Sequence, residues 1–223
     1  YVKSGPSGAP TRGKTEALPT GKNFFSVDSR GLPTESAWSV GCKSASQILD
    51  LYKQDNGEDL KNIAISVWAT STMRNGGEDI CQILYLLGVQ PIWDGPSRRV
   101  IDLEIIPLSI LDRPRVDVTL RISGMFRDAF PQLVKLTSKA INLVSKLNEN
   151  DIFNPLAGAL KNGDPINRIF GSAPGSYGAG LQELISNSNW ESIDDFGESF
   201  LNWSKWIYDD YLEPIEDEKS LEN

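Results

Sequence analysis

Three stretches bring together residue types that hold and deprotonate ligands. Arg74 and Glu78 lie four apart in STMRNGGED (71–79), Arg127 and Asp128 adjoin in SGMFRD (123–128), and Ser172, Gly175, Tyr177 and Gly178 share GSAPGSYGAG (171–180). A guanidinium offers a planar fork of donors that matches a carboxylate. Glu78 and Asp128 are the candidate proton acceptors. The glycines and Ser172 let backbone and hydroxyl groups approach a bound molecule closely. Each stretch also has a plainer reading. Arg127 beside Asp128 makes a structural ion pair or cap, and Glu78 and Asp79 stand in a first helical turn where the helix dipole favours carboxylates. GSAPGSYGAG makes a turn that opens a helix, with neither a lysine after its last glycine nor the spaced dinucleotide pattern.

A fourth stretch, GAPTRGKT (8–15), spells a phosphate loop. That loop works when a buried strand delivers it and a helix leaves it, so that backbone N–H groups converge on phosphate. Only YVKSGPS precedes it, Pro10 lies inside it, and Pro19 and Gly21 break any helix after it. It reads as an irregular basic arm, and no nucleotide is expected there.

The elements that would position the three loops follow from periodicity. Apolar residues at helical spacing run from Trp38 to Tyr52, between Thr34 and Gly57. The β-branched run IAISVWAT (63–70) reads as a strand, GEDICQILYLLG as a helix capped by Gly88, and VQPIW as a second strand, together predicting a βαβ unit with parallel strands. Ile101 to Ile105 alternates as a half-exposed edge strand. Val116 to Ile122 alternates as a strand before a helix from about Pro131 to Leu147. A short strand at 168–170, a helix from Leu181 and a last helix over 194–208 complete the chain. The expected fold is α/β: a mainly parallel, Rossmann-like or flavodoxin-like sheet flanked by helices. Residues 1–33 form an irregular Gly/Pro-rich arm, 34–212 the α/β domain and 213–223 an acidic tail. In such sheets ligands gather beyond the carboxyl ends of the strands, where all three loops fall. The six tryptophans sit mostly on apolar faces and read as core.

Composition narrows the function classes. A net charge of −8 over 223 residues argues against nucleic acid or an anionic membrane as partner. No run is long and apolar enough to span a membrane. Histidine is absent, which removes histidine-based hydrolysis and the usual zinc sites. The two cysteines, on different predicted helices, make no metal spacing or disulfide framework and fit a reducing, cytoplasmic setting.

Taken in order, PSGAPTRG, LPTGKNFFSVDSRGLPT, VWATSTMRNGGEDICQILYLLGVQPIWD, RPRVDVTLRISGMFRDAFP and RIFGSAPGSYGAGL resemble the CobN-type large subunit of aerobic cobaltochelatase. That family is related to the H subunit of magnesium chelatase. The likeness runs from about Gly5 to Tyr208. Lys22 stands where the family has arginine, Ser29 replaces a proline, and the family's histidine-bearing segment lies outside these residues. The resemblance implies a part of the tetrapyrrole-binding subunit of an ATP-dependent chelatase. Cobalt would be a substrate of the complex, hydrogenobyrinic acid a,c-diamide the macrocycle, and ATP and magnesium would be held on separate AAA+ partner subunits. No firmly bound cofactor is implied for this stretch, which alone would be inactive. The macrocycle is anionic, so the resemblance adds Arg12, Lys22 and Asn23 to Arg74 and Arg127 as its holders, and gives Glu78 or Asp128 the pyrrolic protons. Two alternatives stay open: a magnesium chelatase H-type subunit acting on protoporphyrin IX, and a docking module for the AAA+ subunits without a ligand site.

Overall fold

The computed structural model describes residues 18–19, 28–209 and 214–216. A five-stranded sheet of order β1-β4-β5-β6-β7 organises them. β1 (Asn62–Val67), β4 (Asp117–Ile122) and β5 (Ile169–Gly171) are parallel, while β6 (Trp206–Ile207) and β7 (Ile215–Glu216) run antiparallel at the far side. Val67 pairs with Ile122 and Ile122 with Gly171, so the three parallel strands end level with one another.

Alternation along β4 decides what covers each face. Val118, Leu120 and Ile122 turn into the main core with Ile83, Leu84 and Leu87 of α3 (Glu78–Leu87) and Leu133, Val134 and Ile141 of α6 (Pro131–Ser145). Arg121 turns the other way, toward α9 (Ile193–Ser204). Helices therefore cover both faces. α1 (Glu35–Asn56) starts where the Thr34 hydroxyl accepts from the Ala37 N–H, at 3.1 Å, and stops at Gly57 with φ of 74°. It lies close against α3, because a Cβ at Gly41 would come within 2.6 Å of Cys81 Cβ.

Four expectations change. β2 (Val89–Trp93) does not enter the main sheet but pairs antiparallel with β3 (Val100–Ile105) as a separate ribbon, so the predicted βαβ unit closes instead from β1 to β4. Pro91 explains this: it has no N–H to give, and a central strand must bond on both sides. The last helix stops at Ser204, and residues 206–207 become β6, adding backbone pairs to β5. The segment after the β1 strand is itself helical, α2 (Ala69–Asn75), before Gly76 and Gly77 turn the chain into α3. Three of the tryptophans placed in the core, Trp68, Trp190 and Trp203, stand 36–49% exposed. The structure also adds α4 (Leu108–Leu111), α5 (Gly124–Ala129) and α7 (Pro155–Asn162), and the helix expected from Leu181 is present as α8 (Gln182–Asn187).

Candidate functional site

The carboxyl ends of β1, β4 and β5 carry a dense polar floor. α5 begins there, with the buried Ser123 hydroxyl accepting from the Phe126 N–H and the Ser123 N–H donating to Val67 O. This sets Arg127 under the 171–180 loop. Arg127 donates through Nη1 to Ser172 O at 3.1 Å and Ala173 O at 2.7 Å, and through Nε and Nη2 to both carboxylate oxygens of Asp128 at 2.7 and 3.0 Å. Tyr208 Oη donates to Ser172 O, at 2.5 Å, and Ser172 Oγ donates to Ser176 O at 2.8 Å. Tyr177 Oη donates to Asp128 Oδ2 at 2.8 Å. All three nitrogens of Arg127 are thus engaged within the chain, and their work is to fix the glycine loop. The Arg127 bond first, and that from Tyr177, hold the Asp128 carboxyl below its usual range. An acid so held stays ionised and is a weak proton acceptor.

Gly124 is where the loop touches α5. A Cβ there would lie 2.3 Å from Ser176 O and 2.9 Å from Tyr177 Cδ1, so only glycine lets the loop descend this far.

The other predicted residues divide. Ser172, Gly175, Tyr177 and Gly178 share the loop that Arg127 and Asp128 fix. Arg74, exposed at the end of α2, and Glu78, at the start of α3, have no side-chain hydrogen bond or ion pair to this network. Arg12, Lys22 and Asn23 lie outside the described residues.

Two groups escaped sequence reasoning. Asp79 accepts from Thr72 Oγ1 at 2.6 Å, and that hydroxyl is also 3.3 Å from Trp68 O. Burial raises the Asp79 carboxyl above its ordinary value, which makes it a better proton acceptor than Asp128. Its signal was present: it precedes the buried Ile83 and Leu86 by four and seven residues, on the inward face of α3. Arg121 is 7% exposed, donating to Gly178 O at 2.7 Å and to Ser204 Oγ at 3.2 Å. Its guanidinium lies over the rings of Trp68 and Phe200, 5.7 and 5.1 Å from their centroids.

Above the floor, Trp68, Met125 and Tyr177 are 46%, 45% and 57% exposed, each following a different one of the three parallel strands. At the opposite, amino edge of the sheet a cavity of about 750 Å³ is lined by Tyr85, Arg113 and Phe153, among others. There Arg113 is bonded to the carbonyls of Tyr85, Leu86 and Pro114, and Lys53 to Asp59. Among the described residues no group of three or more histidine, cysteine or acidic side chains could hold a metal ion, and no helix is long and apolar enough to cross a membrane.

The family model for CobN/Magnesium Chelatase matches residues 1–223. The chain is 48% identical to the aerobic cobaltochelatase subunit CobN of Pseudomonas aeruginosa, over 93% of this chain and 18% of that protein. It is 31% identical to the magnesium-chelatase subunit ChlH of Oryza sativa subsp. japonica, over 94% of this chain and 16% of that one. Among solved structures, the catalytic subunit of cobaltochelatase from Mycobacterium tuberculosis superposes with a TM-score of 0.84 at 43% identity, over 97% of this chain and 19% of the other. The chain thus spans less than a fifth of the length of these relatives.

Proposed function

The chain belongs to the CobN/magnesium chelatase family, and from that premise we propose that it supplies part of the tetrapyrrole-holding wall of a cobaltochelatase large subunit. The observation that carries this reading is the row of half-exposed Trp68, Met125 and Tyr177 above a fixed polar floor at the ends of three adjacent strands. Half-exposed apolar and aromatic side chains suit the face of a planar macrocycle. The polar loop beside it suits the macrocycle's carboxylate and amide rim. Cobalt insertion into hydrogenobyrinic acid a,c-diamide requires pyrrolic protons to leave. Asp79 is the acceptor best tuned for that step, with Glu78 beside it on the same helical turn, while Asp128 orients Tyr177 and Arg127. ATP is hydrolysed by separate AAA+ subunits in this scheme, and the macrocycle is released once the metal is in place. Cobalt is favoured over magnesium because identity to the cobaltochelatase subunit, 48%, exceeds that to the magnesium-chelatase subunit, 31%.

The test uses the full-length protein. Trp68→Ala combined with Tyr177→Ala should weaken binding of the metal-free corrin by at least about tenfold, measured by the corrin's own fluorescence, with an unchanged melting temperature. Binding equal to wild type would remove this edge from the macrocycle site. A second reading has its own observation: Ile185, Trp190 and Ile193, on and beside α8 and α9, are 49–84% exposed and would suit docking of a partner subunit. Ile193→Asp that abolishes partner capture while corrin binding persists would assign that face to docking.

A further inference from the structure

Among the described residues two arginines keep a buried nitrogen without a hydrogen-bond partner: Arg113, through Nε, at the amino edge, and Arg121 near the carboxyl edge, where the candidate site lies. The Arg121 Nη1 is sealed from solvent and has no hydrogen-bond partner. No carboxylate faces it: the two acceptors it does reach, Gly178 O and Ser204 Oγ, are neutral, and burial alone lowers its affinity for a proton. A buried charge without a counter-charge is destabilising in a folded protein, as when one partner of a buried pair is removed. What closes over the guanidinium is aromatic: Phe200 from α9 and Trp68 from the end of β1. Phe200 is packed on its helix, but Trp68 is half exposed and its indole N–H makes no hydrogen bond. Trp68 is thus the more solvent-facing of the two residues, and it follows β1 at the edge where Met125 and Tyr177 also stand.

We propose that Arg121 is the carboxylate-holding residue of this site, pairing through Nη1 with an acid group at the rim of a planar ligand while Trp68 moves from the guanidinium onto the ligand's face. Arg127 cannot fill this role, because its nitrogens already hold Asp128 and the glycine loop. Arg121 differs in having strong donor capacity and no acid partner among the described residues. The ring beside it is a weak substitute for an anion, since an aromatic face attracts a cation only through its quadrupole. A ligand carboxylate in the same dry position makes a charge-assisted bond of greater strength. This inference rests on the tetrapyrrole reading above and adds the group that reads the ligand's charge.

The experiment compares, in the full-length protein, binding of metal-free hydrogenobyrinic acid a,c-diamide with that of its methyl-esterified derivative, which keeps the ring and loses the negative charges. Wild type should prefer the acid by at least about tenfold, Arg121→Lys should keep much of that preference, and Arg121→Met should bring the two ligands to within about threefold. Arg121→Met should also melt at or above the wild-type temperature, because it removes an uncompensated buried charge. An Arg121 that only supports the fold gives the reverse, a lowered melting temperature and an intact preference for the acid, which would overturn the proposal. Equal binding of acid and ester by the wild-type protein would overturn it without any variant. If neither form binds, the tetrapyrrole reading fails and this assignment falls with it.

Discussion

Arg115 and Arg121 are six residues apart on one stretch of chain, and both are buried, yet the fold treats them in opposite ways. Arg115, 1% exposed, enters just before β4 at the amino edge of the sheet. It grips both carboxylate oxygens of Glu149 at 2.8 and 2.9 Å and bonds the carbonyls of Leu87, Gly88 and Ile106. Arg121, near the carboxyl edge, has no acid and one idle nitrogen. Arg115 comes with its counterion built in, whereas Arg121 has none among the described residues. The two edges also differ in their surroundings. The amino edge is knotted by Arg115, by Arg113 and by the Arg168–Asp117 fork at 2.8 Å. The carboxyl edge exposes apolar rings over fixed polar groups.

The contrast breaks most visibly at Arg115. Arg115→Ala strips Glu149 of its counter-charge and removes the guanidinium donors to the Leu87, Gly88 and Ile106 carbonyls, so denaturant unfolding should show a loss of about 3–5 kcal/mol. A loss below that of Arg121→Met would dissolve the distinction between the two arginines. Next in size is Gly124→Ala. The added methyl meets the Ser176 carbonyl, which cannot give without moving the loop, and overpacking of this kind costs about 1–3 kcal/mol. Corrin affinity should fall with it, because Tyr177 shifts with Ser176, and unchanged stability in a melting experiment would show that the loop is looser than its contacts suggest.

The smallest effect sharpens the contrast between the two acids of the carboxyl edge. The folded protein holds the Asp79 proton more tightly than the unfolded chain does, so this group favours folding when protonated. Its contribution should therefore decline as pH rises from about 4, the ordinary carboxyl value, through its raised folded value. Asp128, held low, works the other way, and its contribution is lost only as pH falls below that ordinary range. Asp79→Asn should remove the decline above pH 4 from a stability-against-pH curve and leave the acid limb in place. A decline that persists in the variant would mean that another group sets it.

The sequence made the parallel sheet, the positions of most helices and the loop cluster legible, because those depend on local periodicity and on glycines at turns. Thr34 and Gly57 bounded α1, and the 123–128 and 171–180 loops met at one edge because both follow parallel strands. What escaped depends on tertiary neighbours. Nothing local distinguishes Arg121 from any outward-facing strand residue, since its burial is made by α9 and Trp68, far away in the chain. β6 was read as helix because Phe196, Phe200, Trp203 and Ile207 keep helical spacing, and only pairing with Phe170 reveals the strand. The roles of Arg127 and Asp128 were visible as a pair, but not that the pair's other partners are Ser172, Ala173 and Tyr177.

The tight seam between α1 and α3 at Gly41 has a chemical consequence of its own. It encloses Cys81 fully and Cys42 in part, and burial pushes the Cys42 thiol up to about 11 and raises that of Cys81 as well. Both sulfurs therefore remain protonated at neutral pH, and a protonated thiol is neither a nucleophile nor a competent ligand for soft metal ions. Neither cysteine thus offers a thiolate to a passing metal ion, and Cys81 should be slow to react with alkylating reagents for as long as the helix pair stays closed.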